Sequence, residues 1–182
     1  AVLPEIKDTY TKLDASWTTY KTALVGSAPT REHAAAMLKL NAGVLALANQ
    51  GTVQYETALG KPQGKLVNIA GRQRMLSQRM AMCYLAARLP VDASTMVTEI
   101  DKARSEFVNA MGILHKAPET TPRIQEDLQL ADGQWVFFDT ALKRVGTADA
   151  GAAKPLTDVF VASENLLTVM DRVTGLYASL KT

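Results

Sequence analysis

Apolar residues recur along this chain at three- and four-residue spacing, and almost nowhere at the two-residue spacing of a half-buried strand. The clearest case is the last segment, where Leu156, Val159, Phe160, Ser163, Leu166, Leu167, Met170, Val173, Thr174 and Tyr177 mark one face of a helix. The interruptions are helical punctuation: Gly26 to Thr30, Gly60 to Gly64, Leu89 to Asp92, Ala117 to Pro122 and Val145 to Pro155. Thr30 and Asp92 are candidate N-caps. Six amphipathic helices are therefore predicted, over roughly 4–26, 30–59, 65–89, 92–117, 122–145 and 155–180. Short loops between long helices make sequential neighbours antiparallel, so the fold class predicted is all-α, an antiparallel up-and-down helical bundle.

An internal repeat refines this organisation. Pro4, Ile6, Trp17, Thr22, Ala23 and Leu24 match Pro122, Ile124, Trp135, Thr140, Ala141 and Leu142 at a constant offset, with Tyr20 opposite Phe138. After a short insertion, Leu45, Thr52 and Tyr55 match Leu167, Thr174 and Tyr177. The expected layout is an N-terminal helical hairpin over 1–62, a partial repeat, followed by a four-helix module over 63–182. On this reading the repeating unit is four helices long, and the hairpin is the second half of a copy.

Composition narrows the function. The 182 residues carry 20 Lys plus Arg against 18 Asp plus Glu, so nothing in the charge balance calls for a nucleic-acid partner. A single Cys excludes an internal disulfide. Two histidines, His33 and His115, with no carboxylate pair beside them in sequence, leave little for a triad or a metal centre, and both read as surface side chains. No phosphate loop or nucleophile elbow is visible, so neither enzymatic activity nor a cofactor is expected. No apolar run reaches the roughly 20 residues of a membrane helix. The chain opens with neither Met nor a basic stretch ahead of an apolar run, so membrane attachment is expected only through segments outside these residues.

One segment stands apart. Asn68-Ile69-Ala70-Gly71-Arg72-Gln73-Arg74-Met75-Leu76-Ser77-Gln78-Arg79-Met80-Ala81 interleaves three Arg, two Gln, an Asn and a Ser with apolar residues inside one helix. At 100° per residue the three arginines do not share a stripe, so some of them must meet protein or ligand. Arg72 and Arg79 are spaced to pair with Glu or Asp of adjacent helices. Arg74 differs, because its helical neighbours Ala70, Gly71, Ser77, Gln78 and Ala81 are mostly small and permit close approach of another helix. If that helix is the same one from a second subunit, two-fold symmetry brings two guanidinium groups together. A trigonal oxyanion between them would accept parallel hydrogen bonds from both and relieve their repulsion, with Gly71 leaving it room. A structural ion pair for Arg74 is the alternative.

The segment from Asn68 to Met80 closely resembles the signature of the PilJ-type domain, the N-terminal extracytoplasmic sensory module of some methyl-accepting chemotaxis transducers. It is also similar to the motif N-x-A-G-x-x-R-M-x-S-x-R of the periplasmic sensor domains of nitrate- and nitrite-responsive histidine kinases, matched by Asn68, Ala70, Gly71, Arg74, Met75, Ser77 and Arg79. Ser163 to Leu167, with Met170, Asp171 and Tyr177, is similar to the last helix of that family, while Met82 stands where many relatives carry Lys. The resemblance implies a four-helix bundle that dimerises and holds nitrate at the dimer interface, against Arg74 and the helix around Gly71.

The expected function is therefore a periplasmic ligand-sensing module that binds a small oxyanion, nitrate first and nitrite second, as a homodimer. Arg74 grips the anion, and Asn68, Gly71, Arg72, Gln78 and Arg79 shape or support the site. The rival is a structural or protein-interaction module whose polar helix is an assembly seam. Met75, Met80, Met82 and Cys83 would admit a copper reading, but methionine at helical spacing is ordinarily core filler, and no metal is expected. Glu99, Asp101, Lys102, Arg104 and Glu106 read as a solvated charged face, and Trp17 and Trp135 as covers for hairpin ends.

Overall fold

The structure, a computed structural model, describes residues 3–25, 30–88, 93–145 and 153–180. Among these are six α-helices and no strand: α1 (Pro4–Val25), α2 (Arg31–Leu59), α3 (Pro62–Ala86), α4 (Ala93–Lys116), α5 (Pro122–Leu142) and α6 (Ala153–Ala178). The all-α helical bundle expected from the periodicity is the observed fold. Thr30 caps α2, its hydroxyl accepting from the His33 amide at 3.2 Å. Gly60 closes the same helix at φ 60°, the left-handed conformation that glycine adopts without steric cost, and its amide bonds the Glu56 carbonyl. Asp92, the other candidate cap, lies outside the described residues. Several boundaries differ from expectation by two or three residues, and two of them have a clear cause. Helix α3 starts at Pro62 rather than near 65, because a proline in the first helical turn forfeits no bond the helix needs. Helix α5 stops at Leu142, and 143–145 tighten into turns as the Arg144 and Val145 amides bond the carbonyls of Ala141 and Leu142.

The chain divides into two compact units, 1–61 and 62–182. In the first, α1 and α2 run antiparallel. Tyr10 packs edge-on against Tyr55 with ring centroids 5.6 Å apart, Asn41 donates to the Tyr20 hydroxyl at 3.2 Å, and the His33 ring meets the Ala23 carbonyl at 2.8 Å. His33 is therefore engaged in closing the hairpin rather than standing free on its surface. Gly51 lets the Tyr10 ring lie close over α2: a Cβ there would stand 2.8 Å from the ring and push it aside.

The second unit is a four-helix bundle whose register is written in its polar cross-links. Seven residues forward along α3, from Arg72 to Arg79, are matched by seven backward along α4, from Glu106 to Glu99. Seven forward along α5, from Asp127 to Gln134, are matched by seven backward along α6, from Arg172 to Asn165. At one end Gln63 of α3 donates to the carbonyls of Tyr177 and Leu180, each at 2.7 Å, which ties the start of α3 to the end of α6. Both steps are whole heptads, two turns of each helix, as antiparallel helices with a small crossing angle require.

Apolar side chains fill the interior. Leu66, Leu76, Met80 and Tyr84 of α3, Ile100, Phe107 and Leu114 of α4, Ile124, Leu128 and Phe138 of α5, and Val159, Leu166, Met170, Val173 and Tyr177 of α6 are buried in one cluster. The stripe expected on α6 is largely this inward face, except that Phe160 is exposed. Trp135 does not cover a hairpin end: it stacks on Phe107, centroids 4.4 Å apart, and meets Phe138 edge-on, whereas Trp17 lies beside Tyr20 and is half exposed. At the end where Tyr177 lies, its hydroxyl and that of Thr120 hydrogen-bond at 2.6 Å, and both reach the Leu114 carbonyl.

Because Phe107 is fully buried and stacked, Phe107→Ala is expected to lower stability by about 3–5 kcal/mol in urea unfolding. Phe137→Ala removes a ring that is 70% exposed, and is expected to change stability by less than about 0.5 kcal/mol. Equal losses for the two would contradict this placement of the core.

Candidate functional site

The polar motif occupies the middle of α3, the helix that packs closely against both α4 and α6. Its side chains sort by helix angle into a buried line and two edges. Ala70, Gln73, Ser77 and Met80 form the buried line. Gln73 donates to the Phe107 carbonyl at 2.8 Å, and Ser77 turns back to donate to the Arg74 carbonyl at 2.8 Å. Neither residue was singled out from sequence as core, because the apolar pattern is read from hydrophobic residues and these two are polar.

Arg72 and Arg79 lie on the edge that faces α4. Arg72 pairs with Glu106, and Arg79 with Glu99 at 2.5 Å. Glu99 and Glu106, expected from sequence on a solvated face, turn instead toward α3, with Glu99 25% and Glu106 42% exposed. They reach across to α3 because burying part of a guanidinium without a carboxylate costs several kcal/mol. Arg104 likewise turns to α5, where Asp139 receives it at 2.5 Å together with Lys143 at 2.9 Å. His115 is not a free surface residue either: its ring nitrogens meet Asp132 at 2.8 Å and Gln125 at 2.7 Å, bridging α4 to α5.

Arg74 and Gln78 lie on the opposite edge, toward α6. Arg74 Nη1 donates to Asp171 Oδ1 at 2.5 Å, with the Arg74 side chain 38% and that of Asp171 66% exposed. Gln78 approaches Glu164, 3.4 Å away. The small strip around Arg74 is used here by α6 of the same chain: a Cβ on Gly71 would stand 3.9 Å from Thr174 Cγ2 and 3.3 Å from Arg74 Nη2. Gly71 thus leaves space over which the Arg74 guanidinium lies, and any side chain there would press on it. Between the two edges runs an outer strip of Asn68, Gly71, Met75, Gln78 and Met82, half-buried and spaced alternately by three and four residues. That is the spacing of a helix-pairing seam.

Of the six residues expected at the site, the structure brings Gly71, Arg74 and Gln78 together beside α6, puts Asn68 on the outer strip, and sends Arg72 and Arg79 to α4. The Glu99–Glu106 spacing, equal to that of Arg72–Arg79, is the sequence signal that could have exposed the α4 pairs. Asp171 has no comparable local signal, since its partner is on another helix 97 residues away. Cys83 is buried, and burial pushes its thiol up against the opposing influence of Arg79, so it stays protonated near neutral pH.

Ionisation follows the same geometry. The hydrogen bond from Arg79 outweighs burial and holds the Glu99 carboxyl below the usual carboxylate range. Burial pushes Asp139 up, but Lys143 and Arg104 together overcome it and leave that carboxyl lowered as well. Depressed folded-state values mean that the stabilisation is complete above the unfolded carboxylate range, roughly pH 4 to 4.5, and is lost as pH falls through the folded values. Urea midpoints measured from pH 6 down to pH 3 are expected to fall accordingly, and Arg79→Gln is expected to flatten part of that fall. A profile identical in the variant would show that the Arg79–Glu99 pair is not felt in solution.

No curated protein and no solved structure matches the chain. Residues 55–160, a span that contains the whole motif, match the family PilJ, described as Type IV pili methyl-accepting chemotaxis transducer N-term. With more than half of its length in that match, the chain belongs to the PilJ family of transducer sensory domains.

Proposed function

We infer that this sensory domain recognises a small oxyanion, nitrate or nitrite, at a two-fold seam between α3 helices of two copies, on the periplasmic side of a membrane. The observation that carries the reading is the placement of Arg74. Its guanidinium lies across the gap left by Gly71, beside an outer strip at helix-pairing spacing, and retains donors beyond the one given to Asp171. A second α3 packed on Asn68, Gly71, Met75, Gln78 and Met82 would bring its own Arg74 near, and a trigonal anion would accept from both.

In this reading Arg72 and Arg79 support the site from behind. Their pairs with Glu106 and Glu99 fix α3 on α4, and leave Arg74 and Gln78 as donors to the anion. Asn68 borders the seam. Binding biases the relation between helices, and that bias is the signal. No helix among the described residues is long and apolar enough to cross a membrane. No catalytic step is assigned to the domain.

A second reading has one observation in its favour: each arginine of the motif already meets a carboxylate within the chain. In that case α3 is an assembly seam, and the domain is a structural or protein-interaction module with no small ligand.

Calorimetric titration with nitrate, nitrite and a chloride control separates the two. Nitrate and nitrite are expected to give heat, and Arg74→Ala to lower nitrate affinity roughly a hundredfold or more, since each copy loses a charge-assisted contact of about 1.5–3 kcal/mol. No heat from either anion, with an intact dimer in sedimentation, establishes the assembly reading instead.

A further inference from the structure

The geometry points to Asp171 as an internal carboxylate that occupies the Arg74 guanidinium until an external oxyanion displaces it, so that it sets the affinity of the site and couples binding to the α3–α6 seam. This rests on the oxyanion reading given above. The pair joins Arg74 Nη1 to Asp171 Oδ1 at 2.5 Å and spans two helices. A carboxylate and a nitrate present the same planar, trigonal arrangement of oxygens; the donors that Asp171 leaves unused give the anion a first hold, but a parallel two-donor grip through the edge that carries Nη1 requires Asp171 to let go. Displacement is cheap here. The Asp171 side chain is two-thirds exposed, so it returns to water when released. The contrast with Arg79–Glu99 is instructive: those side chains are 24% and 25% exposed, and parting them would strand charge in a partly dry seam.

Release of Asp171 also has a mechanical consequence. Thr174, one turn along α6, is the side chain that faces the Gly71 gap, and Gln78–Glu164 at 3.4 Å is the next polar tie along the same seam. An anion held by Arg74 takes away the ion pair between α3 and α6 in this stretch, with the longer Gln78–Glu164 contact and apolar packing still holding α6. Occupancy of the site is thereby converted into a change in how firmly α6 is held to α3.

Two measurements on the full chain test the inference, using wild type, Asp171→Asn and Arg74→Ala. The first follows the rate at which an arginine-directed dicarbonyl reagent modifies Arg74, read by peptide mass spectrometry. The second is nitrate titration. Asp171→Asn is expected to speed Arg74 modification and to tighten nitrate binding by roughly two- to fivefold, the scale of one half-exposed ion pair. An unchanged modification rate, or weaker nitrate binding in Asp171→Asn, overturns the inference and makes Asp171 a supporting partner of the site. Faster modification with no nitrate or nitrite binding by any of the three proteins sinks the oxyanion function, while the competition of Asp171 for Arg74 stands.

Discussion

A guanidinium that leaves water must find a negative partner, and α3 carries three of them within eight residues of one another. That requirement organises the bundle. Because Arg72 and Arg79 are one heptad apart, their partners on an antiparallel neighbour must also be one heptad apart, and Glu106 and Glu99 are. A sliding of α4 by one turn would cost both pairs at once. Hydrophobic burial alone does not discriminate so sharply between registers, since the apolar residues of α4 would meet other apolar residues after a slip.

The two edges of α3 differ in strength for a physical reason. On the α4 side the Arg79–Glu99 pair is substantially covered, so its separation would leave charge poorly solvated, while Arg72–Glu106 is intermediate. On the α6 side Arg74 and Asp171 are open to solvent, where an ion pair contributes about 1 kcal/mol or less. One helix thus has a firmly fixed neighbour and a loosely tied one. A sensory domain needs that asymmetry: a contact too costly to break cannot respond to a ligand whose own affinity is modest.

Much of the fold was legible because helical periodicity is a local signal. Gly60, Pro62, Thr30 and Pro122 punctuate the chain in ways that backbone sterics and missing amides make nearly unavoidable. The motif was legible too, since three arginines spread around a helix cannot all be solvated on one face. What escaped was the identity of the partners. Glu99 and Glu106 look in sequence like any charged face; only the packing of α4 on α3 turns them inward. His115 was missed for the same reason, its partners Gln125 and Asp132 being supplied by another helix. Trp135 lies at the position expected of it in α5, yet its stacking partner Phe107 belongs to α4, and sequence spacing within one helix carries no information about the neighbour opposite.

The location of the loose tie along the bundle completes the physical picture. At one end, the Gln63 bonds to the final carbonyls of α6 and the Tyr177–Thr120–Leu114 cluster join α3, α6 and the α4–α5 connection through part-buried hydrogen bonds of 2.6 to 2.7 Å and the buried Tyr177–Leu114 bond of 3.3 Å. The Arg74–Asp171 pair comes farther along, followed by a longer contact between Gln78 and Glu164. The α3–α6 interface is therefore pinned at the Gln63 end by neutral bonds, and the exposed ion pair lies away from that pin. Loss of the Arg74 tie would be expressed away from the Gln63 end, which holds the two helices in register.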